Sequence, residues 1–225
     1  MIIKSYKELD GSNSIFIILE NFLDLEEQQF YKNKIQSIDD WKTGIFQGSE
    51  IQRLQKWYSD DSQYFSKYWA NQSHERWKSN NHEKWLLDLR EKVQIKIDEI
   101  FKTKLLGCNH PILNSSLINY YRDGNDCIKY HSDDEKVFGS NPTISMVTFG
   151  SHRNLEFKRI YRKDENDHDF KINLTESHMN ESFLIEPGSL FLMMGSVQKY
   201  YCHGVEKNPL IKEARYSITF REHKN

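Results

Sequence analysis

The chain has 225 residues, 37% hydrophobic and 13% aromatic, with 31 Lys and Arg set against 33 Asp and Glu. That length can bury one sizeable core, and the aromatic share excludes a disordered chain. A formal net charge of −2 excludes a globally basic nucleic-acid binder, so any such contact rests on a local patch.

The opening residues, MIIKSYKELDG, hold no signal-peptide run, and no segment reaches the length of a membrane span. Cys108, Cys127 and Cys202 form neither a disulfide framework nor a zinc pattern. These features predict a soluble, intracellular, reduced protein, monomeric and without a membrane partner. Nucleus and cytoplasm are not distinguished.

In chain order, residues 14–22 read as a strand, and Asp24 with Glu27 reads as a capping box opening a helix through about Gln36. Residues 41–85 are polar, aromatic and without a period, and carry all five tryptophans: Trp41, Trp57, Trp69, Trp77 and Trp85. Two readings stay open for them. They form an irregular layer packed on the core, or a lid whose rings stack on a flat ligand such as a base. From His82 onward, Leu86, Leu89, Val93, Ile97 and Ile100 recur at steps of three and four, predicting a helix that supports a sheet.

After Pro111 the chain turns β-rich. Strands are expected at 115–121, 127–131, 143–149, 154–162, 170–174, 182–185, 189–194, 200–205 and 214–221. Glu186-Pro187-Gly188 marks a turn. So many short strands predict a sandwich or jelly roll. The expected organisation is one domain over 1–225, mainly β, with an N-terminal α/β extension over 1–110 and the core over 111–225.

One of these strands ends on His131-Ser132-Asp133. Residues two apart share a strand face, so an imidazole and a carboxylate aim at one point. Such a pair, with positions left open, suits a first-row metal and above all Fe(II). His-x-Asp alone recurs by chance, so a third ligand is needed. His203, in the strand-like 200–205, is the best candidate. The other histidines sit mostly in polar or loop-like contexts.

Alternation puts Arg215, Ser217, Thr219 and Arg221 on one face and Tyr216, Ile218 and Phe220 on the other. If the polar face points inward, two guanidinium groups require anions there, and a dicarboxylate meets that need. If it points outward it is a solvated side, and alternation alone does not decide. Residues 151–163, SHRNLEFKRIYRK, hold Arg153, Lys158, Arg159, Arg162 and Lys163 against Glu156. That run reads as a phosphate-contacting hairpin or as ordinary charged surface. Residues 163–169 read as an exposed hairpin loop.

Together these residues resemble the AlkB-type Fe(II)- and 2-oxoglutarate-dependent dioxygenases, above all the eukaryotic-type enzymes that reverse alkylation damage. The resemblance rests on Asn119-Tyr120-Tyr121, Asp126-Cys127-Ile128, and His131-Ser132-Asp133-Asp134-Glu135. It continues through 145–150 with Arg153, then Pro187-Gly188-Ser189-Leu190, Met193-Met194, His203 and the 215–221 run. Residues 53–58, RLQKWY, resemble the family's nucleotide-recognition lid, with Gln52 and Ser59 where the family usually has Pro and Gly.

The resemblance implies a double-stranded β-helix (jelly roll) core with His131, Asp133 and His203 as iron ligands. It implies that Arg215 and Arg221 bind 2-oxoglutarate, helped by Asn119, Tyr121 and Thr219, with Ser217 standing where the family usually has Asn. Asp134 would lie beside the substrate base and His131 would wall its pocket. Trp57, Tyr58, Tyr68, Trp69, Arg153 and Arg159 are the expected further substrate contacts. The implied reaction removes methyl groups from bases such as 1-methyladenine and 3-methylcytosine, in DNA or RNA with single strands favoured. It consumes O2 and releases succinate, CO2 and formaldehyde. The alternatives are the same oxygenase chemistry on a protein side chain or an RNA methyl mark, or a silent nucleic-acid-binding module.

Overall fold

Asp24 opens the first helix as its sequence dictates. Its carboxylate accepts from the Glu27 N–H at 2.9 Å, and the Glu27 carboxylate accepts from the Asp24 N–H at 3.1 Å. The computed structural model describes residues 1–46, 49–61, 64–71, 74–103, 107–162 and 170–224, without the side chains of Phe46, Ser49, Tyr68 and Trp69. Strands β1 (Ile2–Lys7) and β2 (Asn13–Leu19) precede that helix, α1 (Leu25–Gln36). A short hairpin, β3 (Ile45–Phe46) and β4 (Ser49–Glu50), leads to β5 (Leu54–Ser59), α2 (Lys67–Asn71) and the long α3 (Lys84–Thr103). Then come β6 (Ser115–Tyr121), β7 (Ile128–His131), β8 (Ile144–Gly150), β9 (Arg153–Tyr161), β10 (Lys171–Ile172) and β11 (Glu181–Ile185). The chain ends with β12 (Leu190–Gly195), the short α4 (Val197–Tyr200), β13 (Tyr201–Val205) and β14 (Arg215–Arg221).

Two antiparallel sheets face each other as a jelly roll. The larger runs β1-β2-β12-β8-β14-β6-β5, and the smaller runs β10-β9-β13-β7 with β11 also on β9. Both faces of the larger sheet are covered, which is why β2 and β12 read as unbroken apolar runs rather than alternating ones. On one face Ile15, Ile17, Leu190, Leu192 and Met194 pack with Leu86, Leu89, Val93 and Ile97 of α3. On the other, Phe16, Ile18, Phe191 and Met193 meet Leu155, Phe157 and Phe183 of the smaller sheet. No helix among the described residues is long and apolar enough to cross a membrane.

Residues 41–85 overturn one expectation. Trp57 and Tyr58 are not lid rings; they belong to β5, which pairs with β6 through Trp57↔Leu117 and Tyr58↔Ser116. Both are essentially unexposed, at 0% and 1%. Trp57 packs with Phe65, Leu117 and Phe138, and Tyr58 joins the core under α3. Two polar residues disguised the strand. Gln55 is buried against Arg76, and Lys56 pairs with Asp40. Tyr68 and Trp69 lie on α2, and their side chains fall outside the described residues, as does the loop expected at 163–169.

Candidate metal centre and cosubstrate pocket

β7 and β13 pair with His131 directly opposite His203, and the ring centroids stand 4.4 Å apart. The pairing shifts register just past His203. A Cβ on Gly204 would come within 2.9 Å of the Ile128 carbonyl oxygen, so glycine is needed for the strands to close beside the ligand. His203 lies against Phe157, centroid to centroid 5.4 Å. Asp133 follows β7 in a loop and is fixed from two sides. Its N–H donates to Gln198 Oε1 at 2.8 Å, and its Oδ2 accepts from Arg221 Nη2 at 3.0 Å. That leaves Oδ1, 3.8 Å from His131 Nε2.

One ligand atom from each of His131, Asp133 and His203 falls within 4.8 Å of the others. His131 Nδ1 lies 2.9 Å from the Lys129 carbonyl oxygen; donating there leaves the Nε2 lone pair for a metal. Burial pulls both imidazoles down, His203 to about 3, so both are neutral donors at pH 7. Burial acts to raise the Asp133 carboxyl, yet Arg221 and the two imidazoles outweigh it and hold it at about 2. Two neutral nitrogens and one carboxylate oxygen, with room beside them, are a donor set that fits Fe(II).

The polar face of β14 points inward. Arg215, Ser217, Thr219 and Arg221 are all buried and line a cavity of about 540 Å³ together with His131, Asp133 and His203. Nε and Nη1 of both arginines have no partner among the described residues. Arg215 stands 5.0 Å over the Tyr121 ring and Arg221 5.3 Å over that of Phe138. Burial lowers the Arg215 guanidinium from its ordinary range. Buried guanidinium donors left open are costly, and a carboxylate-bearing ligand satisfies them. Leu117, Met146, Leu155, Met193 and Val205 supply apolar walls, and Asn119 and Tyr121 also line the cavity.

The remaining expected contacts divide. Arg153 is buried and donates to the carbonyls of Asp123, Asp126 and Glu206. Arg159 is buried and paired with Glu8 and Glu176. Neither presents its guanidinium to a phosphate, which corrects the reading of 151–163 as a nucleic-acid face; Lys163 lies outside the described residues. Asp134 pairs with Arg162 at 2.7 Å and is not on the cavity wall. Sequence reasoning missed Gln198, Phe157 and Arg76, none of which carries a local signal. It quoted Glu135 only within a motif; Glu135 lines the cavity, and burial, then Asp133, push its carboxyl up to about 8.

A second constellation invites a catalytic reading and fails it. His82 Nε2 lies 3.1 Å from Ser116 Oγ, and His82 Nδ1 3.0 Å from Asp60 Oδ1. These are the residue types of a hydrolytic triad. Ser116 is 0% exposed and is not on the wall of the metal-site cavity, so no substrate carbonyl reaches it. The trio ties the segment before α3 to the sheet, and Arg90 of α3 joins it by pairing with Asp60 at 2.8 Å.

The comparisons agree with this geometry. The model of the 2OG-Fe(II) oxygenase superfamily matches residues 16–221. The DNA oxidative demethylase ALKBH2 of Arabidopsis thaliana is 31% identical over 118 residues, which cover 48% of this chain and 37% of that protein. The alpha-ketoglutarate-dependent dioxygenase alkB homolog 3 of Rattus norvegicus is 34% identical over 111 residues, 48% of this chain and 35% of its own length. The match therefore spans little more than a third of each relative. Among solved structures, OsALKBH1 superposes with a TM-score of 0.61 at 11% identity, covering 92% of this chain and 96% of that one, which speaks to the fold alone. By the extent of the family match and the kind of relatives found, the chain belongs to the 2OG-Fe(II) oxygenase superfamily and is of the AlkB type.

Proposed function

We propose that this protein is an Fe(II)- and 2-oxoglutarate-dependent dioxygenase that removes methyl groups from N-alkylated nucleic-acid bases. The observation that carries the chemistry is one buried cavity holding both a His-Asp-His triad and two arginines with open donors. The substrate class is supported by relatives named as a DNA oxidative demethylase and as alkB homologues. When bound, iron and 2-oxoglutarate supply the O2-dependent oxidation of a C–H bond, with succinate and CO2 as coproducts.

The chain's own residues hold and exclude. His131, Asp133 and His203 would hold the metal, with Arg221 and Gln198 fixing the Asp133 carboxylate so that Oδ1 is presented. Arg215 and Arg221 would take the carboxylates of 2-oxoglutarate, with Ser217 and Thr219 hydroxyls between them on the same wall. The apolar walls keep water from the reacting carbon. Such a cavity admits a base only when it is unpaired or flipped out. Single strands avoid that unpairing cost, and a net charge of −2 gives little surplus affinity for holding a duplex open. Methylated bases such as 1-methyladenine and 3-methylcytosine, in DNA or RNA, are the substrates to try first, with the protein acting as a monomer.

The test is a panel of methylated oligonucleotides, single- and double-stranded, scored for loss of one methyl by mass beside a panel of methylated peptides. Demethylation of single strands ahead of duplexes is expected. Oxidation of peptides with every oligonucleotide unchanged would overturn the substrate class and leave the oxygenase chemistry standing.

A further inference from the structure

The cavity extends beyond the triad and the Arg215–Arg221 wall to a region those two ligand sites leave unused. Arg53, Phe65, Arg76 and Trp77 line it. Arg76, in the turn Glu75–Trp77, is 7% exposed and lies 4.7 Å over the Trp77 ring. Its Nη2 donates to Gln55 Oε1, while its Nε has no partner among the described residues. Gln55 is itself fully buried, with its amide Nε2 also unpartnered. Arg53 Nε donates to Asn119 Oδ1 at 2.9 Å. The nearby acceptors are thus already engaged, and what remains is donors.

Charge sharpens the point. Among the described residues the one charged neighbour acting on Arg76 is Arg53, a like charge. Burial and then that neighbour pull the Arg76 guanidinium down to about 9. Arg53 lines the same cavity as His131 and Arg76, and its charge acts on both. Glu50 lines the rim but is exposed, and it acts on Arg122 rather than on Arg76. Gly44 leaves the space Arg76 occupies: a Cβ there would come 3.2 Å from Arg76 Cδ. Arg76 is buried with no acid acting on it, beside a half-buried Arg53 whose acids, Asp133 and Asp126, lie on the metal side; such a pair is unfavourable unless an anion joins it.

The geometry points to an oxyanion subsite on Arg53 and Arg76, beside the reaction chamber, that takes a phosphate group of the substrate. The buried donors left open, Arg76 Nε and Gln55 Nε2, together with the positive charge of Arg53, are what a phosphate oxygen accepts from. The subsite rests on the nucleic-acid reading for its source of phosphate, either the monoester of a free nucleotide or the diester of a strand. It also relocates the phosphate contact expected of 151–163 to the wall of the cavity. Gln55 is a positioning residue, holding Arg76 by one nitrogen.

The experiment uses the full chain loaded with Mn(II) and saturated with N-oxalylglycine, so that the Arg215–Arg221 wall is occupied. Inorganic phosphate should raise the melting temperature of the wild type in a concentration-dependent way. Arg76→Met should abolish that response while leaving N-oxalylglycine affinity unchanged, and Arg76→Lys, which keeps the charge, should retain part of it. A methylated nucleoside 5′-monophosphate should bind the wild type at least tenfold more tightly than the nucleoside, and equally in Arg76→Met. If only a methylated trinucleotide shows the Arg76-dependent gain, the source is a diester. An equal phosphate response in wild type and both variants, or none in the wild type, overturns the subsite. Should Arg76→Met fail to fold, the wild-type titration and Arg76→Lys decide. A phosphate response lost with Arg76, but with no oligonucleotide demethylated, keeps the subsite and removes the nucleic-acid reading. Demethylation unchanged by Arg76→Met, with no phosphate response, does the reverse.

Discussion

Two groups of arginines in this molecule have opposite fates. Arg153, Arg159 and Arg162 cluster in sequence, and the fold binds each of them. Arg159 is held by Glu8 and Glu176, Arg153 by three backbone carbonyls, and Arg162 by Asp134. Arg53, Arg76, Arg215 and Arg221 are spread over nearly 170 positions of the chain. They converge on one cavity, and only Arg221 has a carboxylate partner among the described residues, Asp133. A guanidinium with an acid at hand is structural whatever run it sits in. One that is buried without an acid marks the place of a missing anion.

The comparison breaks first at Asp133, the carboxylate that serves both the metal site and Arg221. Asp133→Ala should remove a ligand and leave Arg221 unpaired. Mn(II) affinity should fall more than 100-fold, and anaerobic titration reads it. Wild-type affinity in both Asp133→Ala and His131→Ala would mean the triad is wrongly assigned. Next in size is Arg215→Met. Losing a buried, charge-assisted partner costs about 3 kcal/mol, so 2-oxoglutarate affinity should drop about 100-fold with Mn(II) binding retained. A variant that binds 2-oxoglutarate like the wild type would place the cosubstrate elsewhere.

Arg159→Met sharpens the contrast from the other side. It strands a buried Glu8, so stability in urea should fall by about 3 kcal/mol. Affinity for 2-oxoglutarate should not change, and neither should the slope of log oligonucleotide affinity against log salt. A shallower slope at undiminished stability would restore the basic run as a nucleic-acid face.

Legibility in the sequence followed the same divide. Where a signal is local and periodic, the residues announced the structure. The Asp24 capping box, the apolar face of α3, His131 two residues before Asp133, and the 215–221 alternation all lie within one element. The alternation of β14 left its inward or outward sense open, because polarity does not reveal that a ligand occupies the inside. Trp57 and Tyr58 misled because Gln55 and Lys56, each engaged by a partner over ten positions away, broke the apolar pattern of β5. Glu8 lies 151 positions from Arg159, a separation no charge run can show. Arg76 sits in an irregular segment and becomes meaningful only once Arg53 and the cavity are placed around it.

The smallest expected effect is at Ser217, where related enzymes were expected to carry Asn. Its strand partners are Asn119 on β6 and Thr148 on β8, and its side chain lines the cavity between those of Arg215 and Thr219. Ser217→Asn adds an amide donor on a longer stem at the wall where the carboxylates are placed. One added hydrogen bond contributes about 1 kcal/mol, so 2-oxoglutarate affinity should stay level or tighten up to about fivefold. The cavity has room for the added atoms, so melting temperature should hold. Calorimetric titration of the Mn(II)-loaded variant reads both the affinity and its enthalpy. Binding weakened tenfold or more would show that the added amide clashes with the cosubstrate or displaces Arg215. The polar face of β14 would then meet the cosubstrate differently, with Ser217 closer to its carboxylates than Arg215.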